Sequence, residues 1–139
     1  MKKIVAIALA GMLTTAVLTG CSSKSASSGT YKDGTYKAEQ STFDSHGWKG
    51  QIEITVKDGK ITNVIYNEVN KDGVLKRNDQ QYAEKMKAKN NITPKEVDEK
   101  LQQELIDKQD PAKVDTVTGA TESSKTFKEL ATEALKNAK

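Results

Sequence analysis

The feature that most constrains the fold is a pair of apolar segments joined by Asp58-Gly59. Residues 51–56 read Gln-Ile-Glu-Ile-Thr-Val, so apolar and polar side chains alternate. This alternation predicts a strand that buries one face. Asp-Gly is a strong signal for a two-residue hairpin turn, so Lys60 to Val69 is predicted to return as the partner strand. A first short strand is predicted at Thr35 to Ala38, after the turn signal Asp33-Gly34.

Helical signals follow the strand signals. A helix is predicted from about Gln80 to Lys89, and a clearer one runs from Pro94 to about Lys108. Thr93 and Glu96 have the spacing of a capping box around the start of that second helix. A last amphipathic helix is predicted after Thr121. Strands first and helices later indicate an α+β domain, with a small antiparallel sheet packed against two or three helices.

The amino-terminal part of the chain has the pattern of an exported lipoprotein. Residues 1–20 contain two lysines and then an apolar run, as in a bacterial export signal. Leu-Thr-Gly-Cys at residues 18–21 matches a lipobox, so Cys21 is expected to carry acyl chains such as palmitate. An ordinary cleaved signal followed by a chance cysteine is the alternative. Residues 21–30 form the lipidated cysteine and a Ser-rich linker, and residues 31–139 are expected to form one domain.

Composition argues against several classes of function. The formal charge is +3, and it becomes +1 without Lys2 and Lys3. A nearly neutral chain of this kind does not predict a nucleic-acid partner. The single cysteine excludes an internal disulfide, and the single histidine, His46, has no second ligand at metal-binding spacing. We identify no catalytic acid–base pair in the sequence.

The stretch at residues 115–124 reads Asp-Thr-Val-Thr-Gly-Ala-Thr-Glu-Ser-Ser, where a loop turns into the last helix. Gly119 permits a backbone angle, or a close approach, that a Cβ would block. Thr121 is expected to cap the helix with its hydroxyl. The amides of a helix start can also bind a phosphate group. These residues alone predict either a capped helix after a glycine turn or an anion site.

The longer pattern, Asp-x-x-Thr-Gly-Ala-Thr-x-Ser, resembles the flavinylation motif of the FMN-binding domain family. That family includes the flavin subunits of the Na⁺-pumping NADH:quinone oxidoreductase and of the Rnf complex, and extracellular flavoprotein lipoproteins of Gram-positive bacteria. In the family, an FAD-dependent FMN transferase joins the phosphate of FMN to the last Thr of the motif. The resemblance implies Thr121 as the covalent attachment point. The other cofactor-binding residues that it implies are Asp115, Thr118, Gly119, Ala120 and Ser123.

Four residues outside the motif are candidate contacts of the flavin. His46 and Trp48 stand among glycines near the predicted sheet, where an aromatic side chain could approach the ring. The alternatives are a polar loop residue for His46 and a core or covering residue for Trp48. Lys76 and Arg77 could face a phosphate, but a solvated pair of charges is the expected arrangement.

The resemblance implies an electron carrier rather than an enzyme. The protein is expected at the outer face of the cell membrane, anchored through Cys21. There it would take electrons from a membrane NADH-oxidising or quinol-oxidising system and pass them to extracellular acceptors. The alternative is a surface lipoprotein that binds another ligand, or has a structural role, on the same scaffold without covalent flavin. A sensor that uses flavin as a bound signal is a third possibility.

Overall fold

The computed structural model describes residues 31–139. The predictions for the signal segment, for Cys21 and for the linker therefore lie outside the described residues. None of the helices in the described range has the length and hydropathy that crossing a bilayer requires. In chain order the elements are β1 (Gly34–Glu39), β2 (Trp48–Lys57), β3 (Lys60–Asn70), α1 (Gln80–Asn90), α2 (Pro94–Lys108) and α3 (Thr121–Ala134). The predicted α+β class is confirmed.

The three strands form one antiparallel sheet in the order β1-β2-β3. Asp58 and Gly59 connect β2 to β3 with φ values of 53° and 75°. Two positive φ angles in a two-residue loop are typical of a type I′ turn, so the predicted hairpin is confirmed. The strand β2 begins at Trp48, three residues before the predicted start at Gln51. Gly50 does not interrupt this strand, because it pairs with Glu68 of β3.

Helix α3 lies directly on β2, and Gly50 makes this close approach possible. A Cβ at Gly50 would be 2.6 Å from Thr126 Cγ2 and 2.9 Å from Leu130 Cδ1. Next to this contact the rings of Tyr66 and Phe127 meet edge to face, with centroids 5.1 Å apart. The helices and the inner face of the sheet enclose one apolar core. Its largest fully buried apolar side chains are Tyr66, Phe127, Ile54, Ile61, Leu101, Leu105, Leu135 and Val97.

The domain has two distinct ends along α3. At the hairpin end, the Tyr31 N–H donates to Gly59 O at 3.2 Å, and the Lys32 N–H donates to Ala138 O at 2.6 Å. The motif end contains the start of α3 and the end of β2 that begins at Trp48. Because α3 has 14 residues, about 20 Å separates these ends along the helix axis.

Candidate functional site

The residues before α3 form a tight turn that depends on Gly119. The Ala120 N–H donates to Val117 O at 3.0 Å, which closes a four-residue turn. Gly119 is the third residue of this turn and has φ +84°, as a type II turn requires. A Cβ at Gly119 would also be only 2.8 Å from Asn90 Cβ at the end of α1. Gly119 is therefore needed both for its backbone angle and for the close approach of α1.

Ser124 fastens this turn to α3 from inside the protein. Its side chain is fully buried. The Ser124 hydroxyl donates to Ala120 O at 2.7 Å and accepts from the Val117 N–H at 2.9 Å. Both ends of the turn are thus held by one side chain. No local pattern in the sequence indicates this role, although a serine three positions after Thr121 lies within the first turn of the helix.

The prediction that Thr121 caps α3 is wrong. Ala120 is the N-cap residue, with φ −141°, and no side chain in the described part of the chain caps this helix. Thr121 is the first helical residue, because the extended backbone ends one residue earlier than expected. Its side chain is exposed. The amides of the first turn consequently have no side-chain acceptor, and the Thr121 hydroxyl is accessible beside them.

Asp115 stands upstream of the turn and is held by α2. Lys108 Nζ donates to Asp115 Oδ2 at 2.7 Å, and the Asp115 N–H donates to Glu104 Oε2 at 2.7 Å. The hydrogen bond from Lys108 lowers the pKa of Asp115 below its usual value. The carboxylate stays exposed at 76 % of its side-chain surface. Asp115 therefore fixes the path of the chain into the turn and leaves a negative charge at the surface.

Ser123 points away from the surface that Thr121 occupies. Its hydroxyl is buried, donates to Glu68 Oε2 at 2.9 Å, and lies 3.4 Å from Lys76 Nζ. Lys76 in turn donates to Glu68 at 2.9 Å, with only 9 % of its side chain exposed. The expectation of a solvated charge pair is therefore wrong for Lys76. It is wrong for Arg77 as well, whose Nε lies 3.2 Å from the buried Asp98 carboxylate.

His46 and Trp48 lie at the motif end of the sheet. Trp48 is buried, and its ring meets Tyr82 of α1 edge to face, with centroids 5.6 Å apart. His46 is exposed on the loop between β1 and β2. Both residues line a groove of about 340 Å³, together with the half-exposed Phe43 and the turn at residues 70–72. The structure thus places both residues beside one partly aromatic groove.

Other grooves are present in the described residues. One, of about 480 Å³, borders the motif and is lined by Asp115–Thr118 and by polar residues of α2, including Lys100 and Gln103. A larger one, of about 640 Å³, lies on the outward face of the sheet around Lys37 and Ile65. It is not lined by any motif residue. Within residues 31–139, no three His, Cys, Asp or Glu side chains gather as a metal site.

Comparison with known proteins places these features in a family. The sequence model described as FMN-binding domain matches residues 47–136. A protein of Treponema pallidum (strain Nichols) named 15 kDa lipoprotein is 38 % identical over 107 residues, which cover 77 % of this chain and 76 % of that protein. Residues 47–136, which the family model matches, contain β2, β3, the helices α1 to α3 and the whole motif.

Two solved structures share the fold. A crystal structure of a Clostridium perfringens protein has a TM-score of 0.75 and 46 % identity, and covers 78 % of this chain and 88 % of that one. A solution structure of a Clostridium thermocellum protein has a TM-score of 0.53 and 35 % identity, and covers 78 % of this chain and 92 % of that one. The sheet and helices described above therefore recur in related bacterial proteins.

Proposed function

Because the chain belongs to the FMN-binding domain family and FMN is its cofactor, we propose that it carries FMN on Thr121 through a phosphoester and acts as an electron carrier. Bound FMN supplies reversible uptake of electrons by its ring, and the protein supplies attachment, orientation and electrostatics. The observation that carries the proposal is the exposed Thr121 hydroxyl at an uncapped helix start.

The residues of the motif fit a phosphate group at this place. The amides of the first turn of α3 point outward, and the helix dipole adds partial positive charge there. Gly119 presents no side chain that would crowd the approach to Thr121. Thr118 is also exposed in the turn. By contrast, the hydroxyls of Ser123 and Ser124 are buried and already hydrogen-bonded, so they are poor acceptors for a transferase.

The flavin ring has a suitable surface at the motif end. Ligand sites for flat organic groups are mostly apolar, with a few polar groups that fix orientation. The groove beside Trp48 also contains Phe43 and His46, whereas the groove at Asp115–Thr118 is lined mostly by polar side chains. We place the ring in the groove beside Trp48, with His46 as a polar contact.

The proposed cellular setting rests on the lipobox and is supported by one of the same comparisons. The related Treponema protein is named a lipoprotein, which supports acylation of Cys21 and a position at the outer face of the membrane. The partners that this setting requires are an FMN transferase and a membrane donor that oxidises NADH or quinol. Carriage of electrons by FMN needs no acid–base machinery in the protein, so we propose a carrier and not an enzyme.

Replacement of the acceptor tests this proposal. The wild-type protein, produced together with an FMN transferase, should gain the mass of FMN less water and become yellow. Thr121→Ala should lose the adduct and the colour completely, because the ester oxygen is absent. Intact mass and the visible spectrum measure both, and peptide mapping locates the modified residue.

A matched control is Thr116→Ala, which removes another exposed hydroxyl just outside the motif core and should leave the adduct intact. A bare wild-type protein in the presence of an active transferase would contradict the proposal. It would favour instead a lipoprotein that binds its ligand without covalent attachment.

The position of the ring is tested separately at Trp48. An indole in contact with a flavin quenches its fluorescence by electron transfer, so the modified Trp48→Leu protein should fluoresce several-fold more than the modified wild type. Tyr36→Leu, on β1 towards the hairpin end, is the control and should not change the emission. Equal emission from the Trp48 variant and the wild type, at equal FMN content, would place the ring elsewhere.

A further inference from the structure

A buried ion pair lies directly beneath the first turn of α3. Glu68 projects from β3, and Lys76 comes from a short 3₁₀ turn at residues 76–78. Their charged groups are 2.9 Å apart, and 6 % and 9 % of the two side chains are exposed. The Ser123 hydroxyl touches both, at 2.9 Å from the carboxylate and 3.4 Å from the ammonium. Ser123 is two residues from Thr121, so this pair is joined to the turn that carries the acceptor.

The ammonium of Lys76 is also enclosed by aromatic rings. It lies 4.9 Å from the ring centroid of Tyr82 and 5.8 Å from that of Trp48. Both distances permit a cation–π interaction. Burial lowers the pKa of Lys76, but the charge and hydrogen bond of Glu68 outweigh this effect and raise the pKa above its usual value. The residue is therefore a fixed positive charge between the motif and the Trp48 groove.

A second pair balances the rest of this cluster. Arg77 Nε and the Asp98 carboxylate are 3.2 Å apart, and Asp98 is almost fully buried. Burial raises the pKa of Asp98 to about 7, while Arg77 opposes that change. Two acids and two bases thus lie close together. A change at one member leaves its partner's charge uncompensated inside the protein.

We propose that Glu68 and Lys76 shift the midpoint potential of the FMN in opposite directions through their electric fields, and that the intact pair keeps these two shifts in balance. The inference rests on the proposed attachment of FMN at Thr121 and goes beyond it, because neither residue belongs to the motif. Reduction places negative charge on the ring, so a nearby cation favours the reduced state and a nearby anion opposes it. Buried charges are screened much less by salt than exposed ones. Lys76 and Glu68 act through their fields and not as catalytic residues.

The test is a pair of substitutions that should act in opposite directions. Lys76→Met leaves the Glu68 charge behind, so the midpoint potential of the modified protein should shift to more negative values. Glu68→Gln leaves the ammonium behind, so the potential should shift to more positive values. The double variant should return close to the wild-type potential, and Lys76→Arg should keep it. Spectroelectrochemical titration of proteins with confirmed FMN content measures all four.

Controls separate this electrostatic role from a structural one. Lys136→Met removes a lysine from an exposed ion pair with Glu133 at the hairpin end and should leave the potential unchanged. A purely structural role would lower the melting temperature of both single variants without giving shifts of opposite sign. Shifts of the same sign, or none, in fully modified proteins would overturn this inference while the attachment at Thr121 stands. Absence of the adduct from the wild type would instead end the proposed function.

Discussion

The starts of α2 and α3 solve the same structural problem in opposite ways. At α2, Thr93 accepts from the Glu96 N–H at 3.3 Å, and the Thr93 N–H donates to Glu96 Oε2 at 2.7 Å. Pro94 follows as the first residue of the helix, where its missing N–H costs no hydrogen bond. At α3, the N-cap residue is Ala120, whose methyl group can accept nothing. Of these two helices of similar length, α2 has a complete N-terminal cap and α3 has none from a side chain.

The start of α3 lacks a stabilising interaction that the start of α2 has. An N-cap side chain contributes about 1 kcal/mol, and a natural chain has many residues that could supply it. Departures from such local rules are expected at functional sites. The open amides of α3 stand beside an exposed hydroxyl in a rigid turn, whereas those of α2 lie far from the motif in sequence and are already occupied. We interpret the open end as the place kept for a phosphate.

The largest expected effect comes from breaking the turn before α3. Gly119→Val forces a β-branched residue into a left-handed backbone conformation and drives its Cβ into Asn90. The strain should lower the free energy of unfolding by about 1–3 kcal/mol, and the adduct should be lost because Thr121 is displaced. Denaturant titration and intact mass measure the two effects. Gly73→Val is the control, since φ is +79° there but no atom lies within 4 Å of the added Cβ. It should cost stability and retain the adduct.

The second-largest effect is expected from giving α3 an N-cap side chain, as α2 has. Ala120→Ser supplies a side-chain oxygen to the free amides, so the unmodified protein should become more stable by about 1 kcal/mol. The same oxygen competes with a phosphate for these amides, so modification by the transferase should slow down. Thermal melts and a time course of adduct formation measure the two sides. A more stable variant that is modified at the wild-type rate would show that the open amides do not matter for attachment.

The smallest expected effect is the loss of stabilisation by the α2 cap at acidic pH. Hydrogen bonds from the Thr93 backbone, and then from Lys87, lower the pKa of Glu96 to about 2. The pKa in the folded state is thus below its usual value. The stabilisation by Glu96 is therefore present above pH 4.5 and is lost as the pH falls towards 2.

Glu96→Gln should therefore melt below the wild type at neutral pH, and the difference should shrink between pH 4.5 and pH 2. The adduct at Thr121 should be unaffected. Melting temperatures across this range check the prediction. A difference that stays constant with pH would mean that the charge of Glu96 does not contribute to the cap.

Most of the fold could be predicted because its signals are local. The Asp58-Gly59 turn, the alternation along β2 and the capping box at Thr93 each act within a few residues. The bounds of α2 were predicted at both ends, since Pro94 begins the helix and Asp110-Pro111 prevents its continuation. The prediction omitted residues 48–50 from β2. This part of the strand lies around Gly50, where packing against α3, which is distant in sequence, determines the conformation.

The site could be predicted only in part, because its second half depends on contacts that are distant in sequence. The motif residues are contiguous in sequence, so the hypothesis that Thr121 carries the FMN could be formed from the sequence alone. The burial of Lys76 depends on Glu68 and on Ser123, which is 47 residues away. The role of Ser124 depends on how the chain folds back to Val117. No local pattern distinguishes such a buried lysine from the many exposed ones.

The hydrogen bond from the Lys32 N–H to Ala138 O brings the beginning and the end of the domain together at the hairpin end. Both ends of the described domain lie opposite Thr121 along α3. Under the proposed acylation of Cys21, the lipid anchor would therefore hold the domain by the end farthest from the proposed FMN. The FMN would then lie at the motif end, about one helix length further from the lipid headgroups. In this arrangement, a soluble electron acceptor would reach the FMN directly. A donor embedded in the bilayer would reach it only after the whole domain rotates towards the membrane.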